Sequence, residues 1–197
     1  MWEERYATPD YIFGTEPAAF MVTYQDHLVA GQSALAVADG EGRNSVFMAQ
    51  KGLAVTALDF APSALEKARR LAAARGVTVD FRQADVLNRD WEDAAFDLVA
   101  GIFIQFAGPG ERERLFAGMG QAVRPGGLLM LHGYRPEQVA YGTGGPPDPA
   151  NMYTEDLLRD AFPEWEILVL KGYDREIAEG SAHVGRSALI DFIARKP

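Results

Sequence analysis

The stretch Ser33-Ala34-Leu35-Ala36-Val37-Ala38-Asp39-Gly40-Glu41-Gly42-Arg43-Asn44 carries the decision about the fold. A short apolar run reads as a buried strand, and a Gly-x-Gly turn follows it. The next residues, Asn44 to Gly52, read as a helix closed by glycine. Glycines at a strand-to-helix turn let a ligand approach the backbone closely. A dinucleotide loop would carry a third glycine at position 45, where this chain has Ser45, and it would keep carboxylates away from a pyrophosphate. Here Asp39 and Glu41 flank Gly40.

Outward from the loop, strand-like and helix-like segments alternate. Residues 53–59, LAVTALD, read as the second strand, and 62–76 as a helix with Pro62 in its first turn and Gly76 past its end. Residues 77–85, 96–106 and 128–133 read as three more strands, with a helix over 110–123 and a turn at RPGG. This rhythm predicts a parallel sheet with helices on both faces. The rhythm then breaks. After a helix over 154–162, which Thr154 is expected to cap, residues 165–173 and 187–195 read as strands with no helix between them, so they are expected to pair antiparallel.

Composition limits the partners. A chain of 197 residues with 48% hydrophobic and 24% charged residues is long enough for one domain, 1–197, with a substantial core. The net charge of −9 argues against a nucleic acid or an anionic membrane as main partner. There are no cysteines, which excludes disulfides, thiolate metal sites and cysteine nucleophiles. No metal site is expected. The first residues show no signal-peptide pattern and no apolar run reaches membrane-spanning length, so a cytoplasmic location is expected.

In a doubly wound sheet, ligands bind beyond the carboxyl ends of the strands. Four such ends carry informative residues: Asp39 to Gly42 after the first strand, Asp59 after the second, Asp85 after the third, and Gly101-Ile102-Phe103 after the fourth. Asp59 stands nineteen residues beyond Gly40, the usual place for a carboxylate that grips ribose hydroxyls. Three acids around one crevice would repel a pyrophosphate and suit a cation. S-adenosylmethionine, with its sulfonium, ammonium, ribose diol and adenine amine, is such a ligand.

On VADGEG, Asp59 in VTALDFAPSALEKA, Asp85 in RQADV, FDLV and VRPGGLLML, the sequence resembles the class I S-adenosylmethionine-dependent methyltransferases over nearly its whole length. WEERYATPDYIFGTEPAAF, GEGRNSVFMA, YGTGGPP…MYTEDL and EGSAHVGRSALIDFIARK make it similar, more narrowly, to the small bacterial tellurite-resistance and thiopurine-type methyltransferases. The fold this implies is α/β and Rossmann-like: a mostly parallel seven-stranded sheet of order 3-2-1-4-5-7-6, finished by the C-terminal hairpin.

The resemblance also implies roles. Gly40 and Gly42 would pass under the methionine part of the cofactor, Asp59 would hold the ribose, and Phe60 would lie against the adenine. Asp85 would accept from the adenine amine, with the Val86 amide donating nearby, and Gly101 and Ile102 would line the floor. The resemblance places an acid two residues before the first glycine, where this chain has Ala38. Asp39, one residue on, is the candidate replacement, although alternation along a strand gives its side chain another direction. Residues 1–30 would fold over the cofactor. Within them, Arg5 would either meet the methionine carboxylate or pair with Glu3 or Glu16.

Methyl transfer is an in-line displacement, so alignment and exclusion of water supply much of the rate. His183 and Gln105 are the catalytic candidates, with a loop-histidine reading and a strand-end amide reading beside them. Tyr6, His132, Tyr141 and Tyr153 are candidates for the substrate pocket, and His27 is read as structural. Residues 134–153 hold four prolines, three glycines and three tyrosines, and read as a substrate lid or a plain connector. The function expected is methyl transfer from S-adenosylmethionine to a small molecule, a thiol, tellurite or similar detoxification substrate. The alternatives are an O- or N-methyltransferase of a small metabolite, a non-catalytic binder of the cofactor or its product S-adenosylhomocysteine, and an NAD(P)-dependent oxidoreductase.

Overall fold

A computed structural model describes residues 2–181 and 183–197. Its centre is a seven-stranded sheet of order β3-β2-β1-β4-β5-β7-β6, the order that the resemblance implies. The strands are β1 (Ser33–Val37), β2 (Ala54–Asp59), β3 (Asp80–Gln83), β4 (Phe96–Ile102), β5 (Val123–Tyr134), β6 (Glu166–Glu179) and β7 (His183–Arg195). β1 lies parallel to both β2 and β4, so the strand order reverses beside it and a crevice opens at its carboxyl end. β7 pairs antiparallel with β5 and with β6.

Period-two alternation in β1 explains why two layers of helices form. Leu35 and Val37 point into a core with Leu115, Phe116 and Met119 of α5 (Pro109–Ala122) and Leu158 of α7 (Glu155–Ala161). Ala34 and Ala36 face the other way, into a core with Phe20 and Met21 of α2 (Ala19–Thr23) and Met48 of α3 (Arg43–Gln50). Leu35 is fully buried, and its truncation to Ala would cost about 2–5 kcal/mol. α4 (Pro62–Ala74) completes the β2-to-β3 crossover, with Pro62 in its first turn.

The strand limits differ from the sequence reading for identifiable reasons. β4 stops at Ile102 because Phe103 turns into the left-handed region, φ +57°. RPGG lies within β5 as an irregularity, where the pairing steps from Phe96–Val123 to Leu98–Leu128. β6 and β7 keep pairing as far as Glu179 with His183, so the hairpin is longer than its apolar segments. His183 is therefore the first residue of a strand, not part of a loose connection. Residues 134–153 are also more ordered than a bare loop. They contain α6 (Gln138–Tyr141) and a 3₁₀ turn, Pro149–Asn151. Among the described residues no helix is long and apolar enough to cross a membrane.

Candidate functional site

Two chambers open at the carboxyl end of the sheet, of about 240 and about 340 Å³. The first is lined by strand-end residues: Ala38, Asp39, Gly40 and Glu41 after β1, Asp59 and Phe60 after β2, Asp85, Val86 and Leu87 after β3, and Ile102 and Phe103 after β4. The second is lined by Arg5, Gln105, Tyr134, Gly144, Gly145, Pro146, Pro147 and Asn151. Five residues belong to both: Trp2, Phe13, Phe103, Phe106 and His183. The chambers thus meet at an aromatic junction.

The glycine loop is built from β1 and the start of α3. Gly40 has φ +63°, and a Cβ there would lie 2.8 Å from the Tyr6 hydroxyl. Tyr6, on the short helix α1 (Trp2–Tyr6), therefore lies over the loop and lines the first chamber, not the second, contrary to the expectation of a substrate contact. Burial and the charges of Asp59, Glu41 and Asp39 push its phenol up, so it stays neutral. Gly42 has φ +90° but a different neighbour: a Cβ would sit 2.7 Å from the Ala68 methyl of α4. Gly42 is not among the chamber-lining residues, and its role is the close approach of α3 and α4.

The acids of the loop have separate partners. Ala38 lines the chamber, where the resemblance would put an acid, and takes φ +49°. Asp39 follows and also lines it, but its carboxylate folds back onto α3. Ser45 donates to it from both its hydroxyl and its amide. Burial pushes Asp39 up to about 7, with the Ser45 hydrogen bonds opposing and the Asp59 charge adding. Asp59 accepts from the amides of Gly40 (2.8 Å) and Ala61 (2.9 Å), which sets the loop against the end of β2, and burial raises it too. Asp85 accepts from the Leu87 amide (3.0 Å) and the Asn88 side chain (2.7 Å).

Glu41 turns away from solvent. It forms a buried ion pair with Lys67 at 2.8 Å and accepts from the amides of Ile12 (3.2 Å) and Phe13 (3.3 Å). Lys67 also donates to the Asp10 carbonyl at 2.6 Å. The N-terminal segment is strapped over the first chamber in this way, and Phe13 reaches the junction. Arg43 pairs with Glu179 at 2.8 Å, and Glu179 accepts from the Ala19 amide at 3.1 Å. Nothing in residue spacing announces these long-range pairs.

The structure relocates several sequence candidates. Arg5 lines the second chamber and lies over the Trp2 ring at 4.4 Å, not in the first chamber. Neither acid considered for it is its partner: Glu3 accepts from Ser63, and Glu16 pairs with Arg75. Gly101 is not among the chamber residues, since a Cβ there would strike Ile104 and Met119 of the core. Ile102 and Val86 do line the first chamber. Phe60, 56% exposed, stands at its edge.

Gln105 lines the second chamber, yet its amide is committed. Its nitrogen donates to the Tyr134 carbonyl (2.7 Å) and its oxygen accepts the Tyr134 amide (2.6 Å). These two bonds position β5 against the end of β4. Tyr153 lies in the core against Phe116, and Tyr141 donates to Asp174 at 2.5 Å on the outside. Neither lines either chamber. His132 is buried one layer below the junction, with Nδ1 2.7 Å from Asp191 and its ring stacked on Phe20. Its contact with the site passes through Phe103, whose ring edge meets it at 4.7 Å.

His183 reaches both chambers. Its Nδ1 lies 3.0 Å from the Tyr134 hydroxyl, and its ring packs edge-on against Phe13 and Phe103. Burial, with the nearby positive charge of Arg43, pushes it down to about 4, while Glu179 opposes. His132 and Arg5 add to the downward shift. Phe103 holds its place in this cluster by a left-handed backbone that costs about 1–3 kcal/mol in a non-glycine residue. Tyr134, missed in the sequence, is the tyrosine of the lid segment that faces the site. The strand alternation of β5 was the available signal for it.

The donor set fits a cationic cofactor bearing a ribose and an adenine. Asp39, Asp59 and Asp85 place carboxylates on the first chamber, and its one arginine, Arg43, is paired with Glu179. A pyrophosphate would meet those acids without a free cation. Residues 34–127 match the family described as a methyltransferase domain. Over these residues the chain carries a methyltransferase domain.

The domain is 35% identical over 111 residues to a demethylmenaquinone methyltransferase of Thermus thermophilus, covering 55% of this chain and 50% of that protein. It is 36% identical over 83 residues to a carboxy-S-adenosyl-L-methionine synthase of Yersinia enterocolitica, covering 41% and 31%. The chain thus spans half or less of the length of these curated relatives. Among solved structures, TehB from Haemophilus influenzae superposes with a TM-score of 0.74 at 15% identity, covering 100% of this chain and 66% of that one. A protein studied for the conversion of a disulfide bond into a thioacetal group during echinomycin biosynthesis gives 0.76 at 24% identity, covering 96% and 85%. At these identities the likeness to the solved structures is one of fold. Among the described residues no group of three or more His, Cys, Asp or Glu is placed to hold a metal ion.

Proposed function

We propose that the chain transfers a methyl group from S-adenosylmethionine to a small-molecule acceptor held in the second chamber. The observation that carries this reading is the shared junction, where Trp2, Phe13, Phe103, Phe106 and His183 wall both chambers. When bound, the cofactor supplies an electrophilic methyl group on a sulfonium. Asp59 would hold its ribose, Asp85 and Val86 its adenine, with Phe60 alongside, and the Gly40 turn its methionine end. Aromatic faces at the junction attract a cation and exclude water, which aligns and strengthens an in-line displacement.

The acceptor in this reading is a soft nucleophile such as a thiol or tellurite. His183 is held down to about 4 and is a weak proton acceptor, and Gln105 is committed to Tyr134. A nucleophile that needs little deprotonation suits that inventory, whereas a phenol or amine asks for a competent base. The residue 1–30 segment serves as the cofactor cover, through Trp2, Tyr6 and Phe13, and residues 134–153 serve as the acceptor lid. That lid is fastened by Arg112 to the Ala150 carbonyl (2.7 Å) and by Thr143 to the Arg186 carbonyl (2.5 Å).

A screen with radiolabelled S-adenosylmethionine against small thiols, tellurite, selenite, phenols and a demethylated naphthoquinol tests the acceptor class. Label in thiols or tellurite is the expected outcome. Transfer confined to the naphthoquinol carbon or to phenols would overturn it.

A further inference from the structure

We propose that Tyr134 fixes His183 in the tautomer protonated on Nε2, so that His183 meets the acceptor as a hydrogen-bond donor and the site selects an acceptor that arrives as an anion. The inference rests on the methyltransferase reading of this site. It deepens that reading by giving His183 the role of a donor and not of a base.

The hydrogen-bond inventory leads there. The Tyr134 hydroxyl and His183 Nδ1 lie 3.0 Å apart, in residues 2% and 7% exposed. Among the described residues the Tyr134 hydroxyl has no other hydrogen-bond partner. A neutral imidazole carries one N–H and one acceptor nitrogen, and the bond made by one nitrogen sets the state of the other. If Nδ1 held the proton, it would face the phenol, and the phenolic hydrogen would be left buried without an acceptor. With Nδ1 as acceptor, the phenol is satisfied and Nε2 carries the hydrogen. The arrangement is held rigidly. Gln105 makes two bonds to the Tyr134 backbone, the Tyr153 amide donates to the Tyr134 carbonyl at 3.0 Å, and Phe13 and Phe103 flank the imidazole.

His183 shows no hydrogen bond from Nε2 to another described residue, and it lines both chambers. A donor there rewards a negatively charged nucleophile, and Arg5 on the second chamber adds a like-signed field. The electron count agrees. The acceptor's lone pair forms the new bond to carbon, and the carbon–sulfur bond of the sulfonium breaks with its pair left on sulfur. An anion and a sulfonium give two neutral products, so no proton has to leave and no base is needed. The acceptor class is a small acid ionised near neutrality, thiols of lowered pKa above all.

Nitrogen-15 NMR of the histidine rings reads the tautomer directly, in the chain as it stands. We expect hydrogen on Nε2 of His183 in the wild type and a mixed population in Tyr134→Phe. Calorimetry on protein saturated with S-adenosylhomocysteine, with 4-nitrothiophenolate as probe, reads the selectivity. His183→Leu, measured at saturating S-adenosylhomocysteine, is expected to bind this anion about tenfold more weakly, the scale of one hydrogen bond to a charged group. His183→Gln, which keeps an N–H donor and has no basic nitrogen, is expected to restore most of that loss. Hydrogen on Nδ1 in the wild type, or a Gln variant as weak as Leu, overturns the proposal. Failure of the wild type to bind S-adenosylhomocysteine overturns the cofactor reading instead, and leaves the tautomer result standing.

Discussion

The Ser45 hydroxyl donates to the Asp39 carboxylate, closing the glycine loop at the position where a dinucleotide loop carries its third glycine. The serine is thus the partner that a buried acid requires, and it turns the carboxylate back onto α3 while Asp39 stays in the wall of the first chamber.

Asp39 gives the site a pH dependence. Its folded-state pKa, raised by burial to about 7, lies above the 3.8 of an exposed carboxyl. Its contribution to stability is therefore full below about pH 4 and lost as the pH rises through about 7. A cationic cofactor favours the ionised form, so affinity should rise with pH up to about 7, with a proton released on binding just below that pH. Calorimetry in two buffers of different ionisation enthalpy measures the released proton. Asp39→Asn should abolish the release; an unchanged release would place it elsewhere.

His183 has the opposite sign. Its folded-state pKa of about 4 lies below the usual 6.5, so its contribution is present above pH 6.5 and lost as the pH falls through about 4. The shift corresponds to about 3 kcal/mol. Urea denaturation midpoints from pH 7 to pH 4 should fall more steeply in the wild type than in His183→Gln. Parallel profiles would contradict the burial of a neutral imidazole.

The two loop glycines should fail in different ways. Gly42→Ala strains a φ of +90° and drives a Cβ into Ala68, so it should destabilise the fold by about 2 kcal/mol or more. Gly40→Ala also strains a left-handed φ, but its Cβ meets a side-chain hydroxyl at the chamber wall and not the α4 backbone, so it should lose less stability and should weaken cofactor binding as well. Thermal denaturation with and without S-adenosylhomocysteine separates the two. Equal loss of stability in both variants would contradict the assignment.

The Glu41–Lys67 pair should behave as a buried unit. Lys67→Met leaves a buried carboxylate uncompensated and should cost about 3–5 kcal/mol, whereas Glu41→Gln with Lys67→Met should recover much of it. Because Glu41 also holds the Ile12 and Phe13 amides, the single variant should weaken cofactor binding. A double-mutant cycle by chemical denaturation checks the coupling; strictly additive effects would dissolve the unit.

What was legible in the sequence follows from what residue spacing encodes. The apolar runs at 33–38 and 53–59, the glycine turn, and the acids Asp59 and Asp85 lie where strand ends put them, because period and turn chemistry are local. The C-terminal hairpin was readable from the missing helix between its strands. Side-chain direction at irregular backbone was not. Ala38 and Phe103 both take left-handed φ values, which turned the Asp39 carboxylate toward α3 and set Phe103 between two histidines. The sequence reading took Tyr141 and Tyr153 for the pocket, whereas the structure places Tyr134 at the site, Tyr141 outside and Tyr153 in the core. The ion pairs of Glu41 with Lys67 and Arg43 with Glu179 join residues 26 and more positions apart, beyond any local pattern.

The central claim is that the glycine loop, with the carboxylates of Asp39, Asp59 and Asp85, holds a cationic, pyrophosphate-free cofactor. Titration calorimetry of the wild-type chain with S-adenosylmethionine, S-adenosylhomocysteine and NADH tests it most directly. Saturable one-site binding of the first two, lost in Asp59→Ala, and no heat from NADH are the expected results. Binding of NADH with none of S-adenosylmethionine would contradict it.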